Sequence, residues 1–208
     1  MAAEPLLIAS RSPDKVREIR DILRPAFREQ PVSLIEAGIP PAAAEDDVEA
    51  YATFRENALA KAAYFHNLTG MAVLADDSGI EVDALAGAPG VLSRRFAARP
   101  GLAGLELDRA NNQLLMEKLA GVPADRRGAR YVCAAVLLRP GAPPLTALGT
   151  CRGRILEAPR GTGGFGYDPL FLLPELDRTF GEIAAAEKHR FSHRARAFRA
   201  IAAQLSGA

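Results

Sequence analysis

The chain has 208 residues, of which 49% are hydrophobic and 25% are charged, and its formal net charge is +1. These values are typical of a globular protein with one domain, or with two lobes around one core. A net charge so close to zero gives no global field that would attract nucleic acid or an anionic membrane, so we expect any anion site to be local. Two cysteines, Cys133 and Cys151, are too few for a disulfide framework.

The apolar segments are short throughout the sequence. Residues 6–9 are fewer than a secretory signal needs, and no run approaches the roughly 20 apolar residues of a membrane-spanning helix. We therefore expect a cytoplasmic protein that binds neither membrane nor nucleic acid. Both thiols should be reduced, with Cys133 serving as a small core residue.

The N-terminal segment predicts a strand, a polar turn and a helix. Residues 5–9 are apolar, and residues 16–23 carry apolar side chains at helical spacing. Ser12 is a plausible N-cap, and a helix N-terminus with Arg11 and Lys15 beside it favours anions. The segment is equally consistent with an ordinary capped surface helix, and the glycine-rich sequence of a P-loop is absent.

A short acidic span follows a second candidate strand at residues 32–35. It contains four carboxylates within five residues: Glu45, Asp46, Asp47 and Glu49. Either Asp46 or Asp47 caps the next helix, which we expect from about residue 48 to residue 68, or one of the four acids is a metal ligand.

The apolar run 71–75 predicts a buried strand that stops at Asp76 and Asp77. Carboxylates at the carboxyl end of a strand occupy the usual place for α/β active sites. Mg²⁺ prefers such hard oxygens and usually takes one or two carboxylates plus substrate phosphates. Asp-Asp-Ser-Gly is also a good turn sequence, so both interpretations stay open here.

The middle of the chain predicts a helix and a hairpin. Residues 105–119 are amphipathic, whereas residues 129–138 and 145–153 are two strands joined by the Pro-rich segment 139–144.

The glycine-rich loop 161–169 formally matches a dinucleotide fingerprint, but that fingerprint must open a helix and Pro169 prevents one. Phe165 and Tyr167 are available to stack on a flat ligand, or they only anchor a wide turn. The basic segment 187–194 precedes a helix that we expect to end near residue 205. Its cations suit an anion or a carbonyl oxygen, or are simply solvated.

Four blocks of the sequence together resemble the inosine triphosphate pyrophosphatase family. They span nearly the whole chain, and they are Ile8 to Ser12 with Lys15 to Glu18, Thr53 to Ala58, Ala75 to Val91, and Gly161 to Pro169 with Ser192 to Arg194. The resemblance implies one α/β domain over residues 1–208, with a central mixed β-sheet flanked by helices and two lobes with a substrate cleft between them. It also implies a homodimer.

The implied reaction is Mg²⁺-dependent hydrolysis of deaminated purine nucleoside triphosphates (ITP, dITP, XTP) to the monophosphate and pyrophosphate. By this resemblance Asp77 is the general base, and Glu49 and Asp77 contact the metal, although Glu45, Asp46 or Asp47 could replace Glu49 because the residues after it depart from the family pattern. The implied substrate contacts are Ser10, Arg11, Ser12 and Lys15 for phosphates, Ser78, and Phe165, Gly166, Tyr167, Asp168, Lys188, His193 and Arg194 for the base.

Base selection has a physical route. Hypoxanthine and xanthine present an acceptor at C6 where adenine presents an amine, so donors from His193, Arg194 or the nearby backbone would be left unpaired against adenine. Two alternatives remain: a pyrophosphatase for modified pyrimidine nucleotides, and a nucleotide-binding module that has lost turnover. The second is suggested by Ser12, which stands where the family commonly has asparagine.

Overall fold

The structure is a computed structural model, and it describes residues 5–27 and 29–206, apart from the side chain of Asp46. Within these residues there are seven strands and five α-helices. The strands are β1 (Leu6–Ile8), β2 (Val32–Ser33), β3 (Ala72–Val82), β4 (Gly128–Leu138), β5 (Leu145–Ile155), β6 (Phe171–Leu173) and β7 (Arg178–Thr179). The helices are α1 (Pro13–Leu23), α2 (Phe54–Thr69), α3 (Gly104–Lys118), α4 (Ala185–Phe191) and α5 (His193–Ser206).

The strands form one mixed sheet in the order β2-β1-β3-β4-β5-β6-β7. β1 pairs in parallel with both β2 and β3, whereas β6 pairs antiparallel with β5 and β7. β4 and β5 are neighbours joined by residues 139–144, as the predicted hairpin requires. The α/β class with a central mixed sheet is therefore confirmed.

The chain divides into two compact units. The first unit contains the described residues within 1–77, 133–149 and 193–208, and the second contains residues 78–132 and 150–192. Strands β3, β4 and β5 each contribute residues to both units.

The core of the first unit packs apolar faces of α1 and α5 with residues of β1, β3 and β4. Helix α1 begins where predicted, because the Ser12 side chain accepts a hydrogen bond from the Lys15 N–H and proline occupies the first helical position. Its buried residues include Ile19 and Leu23, which pack in one cluster with Phe198 of α5. Cys133 is fully buried in this cluster, which confirms its predicted place in the core.

The core of the second unit is aromatic. The Tyr131 ring lies 4.6 Å from that of Phe171 and 5.8 Å from that of Phe180, measured between ring centroids. Leu115 of α3 and Leu119 just after it are fully buried members of the same cluster. This core supports the loop between β5 and β6.

Helix α2 begins six residues later than the sequence analysis predicted. Its N-cap is Thr53 rather than Asp46 or Asp47. The Thr53 hydroxyl accepts from the Glu56 N–H at 3.2 Å and donates to the Glu56 carboxylate at 2.7 Å. This Thr-x-x-Glu pair stabilises the helix start, whereas residues 43–47 form a separate 3₁₀ helix.

Strand β3 was predicted to stop at the carboxylates, and this was wrong because β3 continues to Val82. Asp76 and Asp77 lie inside the strand, and the alternative of a turn at Asp-Asp-Ser-Gly is wrong for the same reason. The basic segment near residue 190 also differs from the expectation, since residues 185–191 form α4 before α5 begins at His193. No helix in the described part of the chain is long and apolar enough to cross a membrane.

Candidate active site

Asp76 is the buried centre of a charged cluster in the first unit. Successive side chains of a strand point to opposite faces, so Asp76 and Asp77 have different surroundings. The Asp76 side chain is 1% exposed, and its Oδ2 lies 3.3 Å from the Lys15 ammonium and 3.3 Å from the Arg194 guanidinium. Burial alone would raise the pKa of Asp76, but the positive charges of Lys15 and Arg194 outweigh burial and hold this pKa well below its usual value.

Arg194 joins α5 to α1 and β3. Its side chain is 2% exposed, and its Nη1 donates to the Glu18 carboxylate at 2.5 Å. Its Nε and Nη2 both lie 3.3 Å from Asp76 Oδ2. The acidic strand and the basic C-terminal segment, which the sequence analysis placed at one site, therefore meet in the first unit through this guanidinium.

Asp77 has an environment suited to a proton acceptor. It is 6% exposed, and its Oδ2 accepts a hydrogen bond from Asn57 Nδ2 at 3.0 Å. Burial raises the pKa of Asp77 above its usual value, and the negative charge of Glu49 adds to that rise. The charges of Lys15 and Lys61 act in the opposite direction without cancelling it. A carboxylate tuned upward by burial is the usual form of a general base.

Glu49 forms an ion pair with Lys61 of α2. Burial alone would raise the pKa of Glu49, but the charges of Lys61 and Lys15 outweigh burial and lower it. The pKa of Lys61 is raised, because the negative charges of Glu49 and Asp76 exceed the opposing effect of burial. Glu49 also interacts electrostatically with both aspartates of β3. The negative charge of Asp76 acts to raise the pKa of Glu49, and the negative charge of Glu49 raises the pKa of Asp77.

Arg11 and Glu45 form a further ion pair in the first unit. The Arg11 Nη2 lies 2.6 Å from Glu45 Oε1, and its Nε donates to Oε2 at 3.0 Å. The same guanidinium donates to the carbonyl oxygens of Ile39 and Pro40 at 2.7 and 2.8 Å. Arg11 thus fixes the 39–45 segment, and its bond to Glu45 leaves that carboxylate with a lowered pKa.

Ser10 and Ser12 follow β1 at the start of α1. The Ser12 N–H donates to the Ser10 hydroxyl at 3.2 Å, so the two serines form a compact turn before the helix. Both residues are partly exposed, and Lys15 lies in the next turn of the chain. The N-terminus of an eleven-residue helix with a lysine beside it can hold a phosphate group.

The charges of the cluster around Asp76 nearly balance. Among the described residues it contains the cations Lys15, Lys61 and Arg194 and the carboxylates of Glu18, Glu49, Asp76 and Asp77. Three cations against four carboxylates leave one excess negative charge when Asp77 is ionised. No group of three or more metal-ligating side chains is assembled among the described residues. Glu49 and Asp77 still offer the two hard-oxygen donors that suffice for Mg²⁺ when phosphates complete its shell.

The second unit holds the loop 165–168 between β5 and β6. Asp168 is 2% exposed and accepts from the Phe165 N–H at 2.9 Å, from the Lys188 ammonium at 2.6 Å and from the Tyr131 hydroxyl at 3.2 Å. The Lys188 ammonium also lies 4.9 Å from the centroid of the Phe165 ring. Asp168 therefore closes the loop, and Lys188 links the carboxylate to an aromatic face.

Tyr167 and Gly164 help to fix the conformation of the loop 165–168. The Tyr167 hydroxyl donates to the Ser93 carbonyl at 2.7 Å, and burial raises the pKa of this phenol. Gly164 has φ +71°, and a Cβ there would lie 2.0 Å from Asp168 Oδ2. A residue with a side chain would therefore displace the carboxylate that closes the loop.

Comparison with known proteins gives the family. A model of the Ham1 family matches residues 6–204. The chain belongs to the Ham1 family. A curated relative from Exiguobacterium sibiricum, named dITP/XTP pyrophosphatase, is 46% identical over 206 residues. The alignment covers 97% of this chain and 96% of the relative. A protein of the same name from Frankia alni is 44% identical over 200 residues, with 96% of each chain covered.

Solved structures agree with this assignment. A structure of a HAM1 protein from Coxiella burnetii superposes with a TM-score of 0.83 at 33% identity, covering 99% of this chain and 100% of the other. The family resemblance deduced from the four sequence blocks is thereby confirmed, and so is the fold class.

The structure distributes the predicted site residues of this Ham1 chain over its two units. The first unit contains the predicted phosphate, metal and basic residues Ser10, Arg11, Ser12, Lys15, Glu49, Asp77, His193 and Arg194. The second unit contains Ser78, Phe165, Gly166, Tyr167, Asp168 and Lys188. Ser78 lies half-buried in β3, and His193 is a buried first residue of α5. Of the other candidate acids, Glu45 is bound by Arg11, Asp47 is exposed, and the Asp46 side chain lies outside the described residues.

Sequence reasoning missed Asn57, Lys61 and Tyr131. Asn57 appeared only within the Thr53 to Ala58 block of the resemblance and was given no role, yet it is 1% exposed and also accepts from the Tyr51 N–H at 2.9 Å. Lys61 follows Asn57 by four residues, so both lie on one helix face. The signal available in the sequence was this pair of polar residues four positions apart on a helix that is otherwise rich in alanine.

Proposed function

We propose that this Ham1-family protein hydrolyses deaminated purine nucleoside triphosphates (ITP, dITP and XTP) to the monophosphate and pyrophosphate. The names of the relatives from E. sibiricum and F. alni support this substrate class. The structural observation that carries the proposal is Asp77, a buried carboxylate that accepts a hydrogen bond from Asn57 and interacts electrostatically with Lys15 and Lys61.

In the proposed reaction a water oxygen attacks the α-phosphorus. Asp77 takes the proton of that water, the bond between the α-phosphorus and the bridging oxygen to the β-phosphorus breaks, and pyrophosphate leaves with the electron pair. Asn57 donates to one oxygen of Asp77 and so fixes the orientation of its carboxylate. Asp76 has the opposite character, because its lowered pKa keeps it ionised and unsuited to accept a proton.

We propose Mg²⁺ as the cofactor, held by Glu49 and Asp77 with the substrate phosphates. Glu45 is a poorer candidate because both of its oxygens accept from Arg11. A bound divalent cation would polarise the phosphates and neutralise their charge. The cluster itself cannot do this, because its three cations already face four carboxylates among the described residues.

We propose that Ser10, Ser12 and Lys15 hold phosphate oxygens at the N-terminus of α1, with Ser78 as a further contact. Arg11 is tied to Glu45 and to two carbonyl oxygens. Its role is therefore to order the segment before Glu49, and it adds positive potential near the phosphates.

For the base we propose the loop residues Phe165, Gly166, Tyr167 and Asp168, together with Lys188, His193 and Arg194. The Phe165 ring offers a stacking surface, with the Lys188 ammonium over it. Donors directed at the C6 oxygen of hypoxanthine or xanthine would favour these bases over adenine. Arg194 would donate to the base while it keeps its two ion pairs, with Glu18 and Asp76.

The resemblance also leads us to propose a cytoplasmic homodimer, which binds neither nucleic acid nor membrane. Sedimentation velocity at micromolar concentration checks the oligomeric state, with the dimer as the expected species.

The decisive test of function is a nucleotide panel with and without Mg²⁺. Pyrophosphate release from ITP, dITP and XTP should greatly exceed release from ATP, GTP and pyrimidine triphosphates. Faster turnover of modified pyrimidine triphosphates would support the alternative substrate class. Calorimetric binding of ITP under saturating Mg²⁺ without any product would support a binding module. Orthophosphate release instead of pyrophosphate would refute the proposed bond cleavage.

A further inference from the structure

Helix α3 binds both polar main-chain groups of Gly166. The Gly166 N–H donates to Asp108 Oδ2 at 2.8 Å, and its carbonyl oxygen accepts from Asn112 Nδ2 at 2.9 Å. These contacts join residues 58 and 54 positions apart in the sequence. One residue of the loop 165–168 is thus held on both sides by a single helix.

The geometry follows from helical periodicity. Asp108 and Asn112 are four residues apart within α3, so their side chains lie on the same face. Gly166 has φ +62°. Because glycine adopts many backbone conformations with similar ease, the position of this residue depends on the contacts that its main-chain groups make. Asp108 also lies close enough to Tyr167 for its negative charge to add to the effect of burial in raising the pKa of that phenol.

The neighbouring asparagine has a different task. Asn111 Oδ1 accepts from the Ala97 N–H at 2.8 Å, and its Nδ2 donates to the Arg94 carbonyl at 3.0 Å. Asn111 therefore holds the segment 94–97 against α3, whereas Asp108 and Asn112 hold the loop 165–168. One asparagine of α3 therefore binds the segment 94–97, and the other binds the loop 165–168.

We propose that Asp108 and Asn112 are positioning residues that set purine affinity by fixing the backbone of Gly166. This inference rests on the proposed function, in which the loop 165–168 contacts the base. Recognition of a flat base requires groups held within about 0.5 Å of their productive place. When either contact is removed, the loop samples other backbone conformations. The affinity for the base then falls, because binding must also order the loop.

The test compares a ligand that carries the base with one that lacks it. Inosine monophosphate and pyrophosphate, the two proposed products, are measured as inhibitors of ITP hydrolysis by wild type, Asp108→Ala and Asn112→Ala. The inhibition constant of inosine monophosphate should rise about three- to tenfold, as expected for one lost hydrogen bond, and that of pyrophosphate should change less than about twofold. KM for ITP should rise more than kcat falls.

Two further variants separate positioning from simple destabilisation. Asp108→Asn keeps an acceptor oxygen and should recover most of the affinity lost in Asp108→Ala. Gln113→Ala is the matched control, because Gln113 is an exposed neighbour on α3 that donates to Glu117 of the same helix. It should leave both inhibition constants unchanged. If Asp108→Ala does not fold, Asn112→Ala and Asp108→Asn carry the test.

The outcomes are distinct. Equal weakening of both inhibitors, or no weakening of inosine monophosphate in folded variants, would overturn the inference. If the wild type releases no pyrophosphate from ITP, the proposed function fails by itself. Calorimetric binding of inosine monophosphate then tests the same variants, and a wild type that does not bind it overturns the inference too.

Discussion

Removing the Arg194 guanidinium should destabilise the first unit strongly. Asp76 is 1% exposed and Glu18 is 8% exposed at the side chain, and both lie within 3.3 Å of this guanidinium. In Arg194→Leu each carboxylate loses its contact with a buried cation. Breaking a buried ion pair from one side costs about 3–5 kcal/mol, because the remaining charge stays buried. For a protein of this size that corresponds to a fall in Tm of about 6 to 20 °C.

Thermal unfolding followed by circular dichroism measures this change, with urea titration giving the free energy of unfolding. Arg199→Leu is the matched control, since Arg199 is an exposed arginine on the same helix and should change stability by less than about 0.5 kcal/mol. Arg194→Lys should fall between the two, because an ammonium cannot bridge Glu18 and Asp76 as the planar guanidinium does. A loss below about 1 kcal/mol in Arg194→Leu would refute the claim that this ion-pair network is part of the folded core.

Three other predictions concern the candidate site, and a fourth concerns the ion pair between Glu36 and Arg20. Asp77→Asn should keep the fold and lower kcat at least ~100-fold, and an unchanged kcat would place the general base elsewhere. Phe165→Ala should weaken nucleotide binding by roughly 1–3 kcal/mol, and an unchanged KM would leave Phe165 as a turn anchor only. Glu49→Gln should abolish most Mg²⁺-dependent turnover while tightening metal-free ITP binding about fivefold, because Lys61 loses its competing anion; weaker binding would contradict this. Glu36, whose pKa is lowered to about 2 by Arg20 and the Ser33 N–H, should stabilise the fold above pH 4.5 and lose that effect as the pH falls towards 2. After discount for exposure, Glu36→Gln should cost about 1 kcal/mol at pH 7 and progressively less as the pH falls through about 2.

Local signals predicted most elements of the fold. Ser12 and the proline after it specify the start of α1 without help from distant residues. The periodicity of residues 105–119 was enough to predict α3, and the Pro-rich segment 139–144 was enough to predict a hairpin. The start of α2 was predicted wrongly because four acids looked like a helix N-terminus, whereas the Thr53 and Glu56 pair made a stronger cap.

The environment of the acids could not be predicted in the same way. Turn propensity favours ending a strand at Asp-Asp-Ser-Gly, since unpaired carboxylates are costly in a sheet interior. The compensating cations come from far away in sequence: Arg194 reaches Asp76 across 118 residues and Glu18 across 176 residues. A tertiary ion pair of this kind overrides the local preference, and no local window contains it.

The charge balance of the first unit changes how a triphosphate could bind. From sequence, Arg11 and Lys15 counted as cations available to phosphate, and Arg194 as a contact to the base, in a protein of almost zero net charge. In the structure Lys15 faces Asp76, Lys61 faces Glu49, and Arg194 faces Glu18 and Asp76. A phosphate oxygen that takes one of these cations must compete with a carboxylate. A nucleoside triphosphate with four negative charges would meet that competition at each of these cations, whereas its Mg²⁺ complex carries two fewer negative charges and, with Glu49 and Asp77 as the proposed ligands, would draw Glu49 away from Lys61. Release of the ion pair between Glu49 and Lys61 would free Lys61 for phosphate, so metal and nucleotide should bind cooperatively.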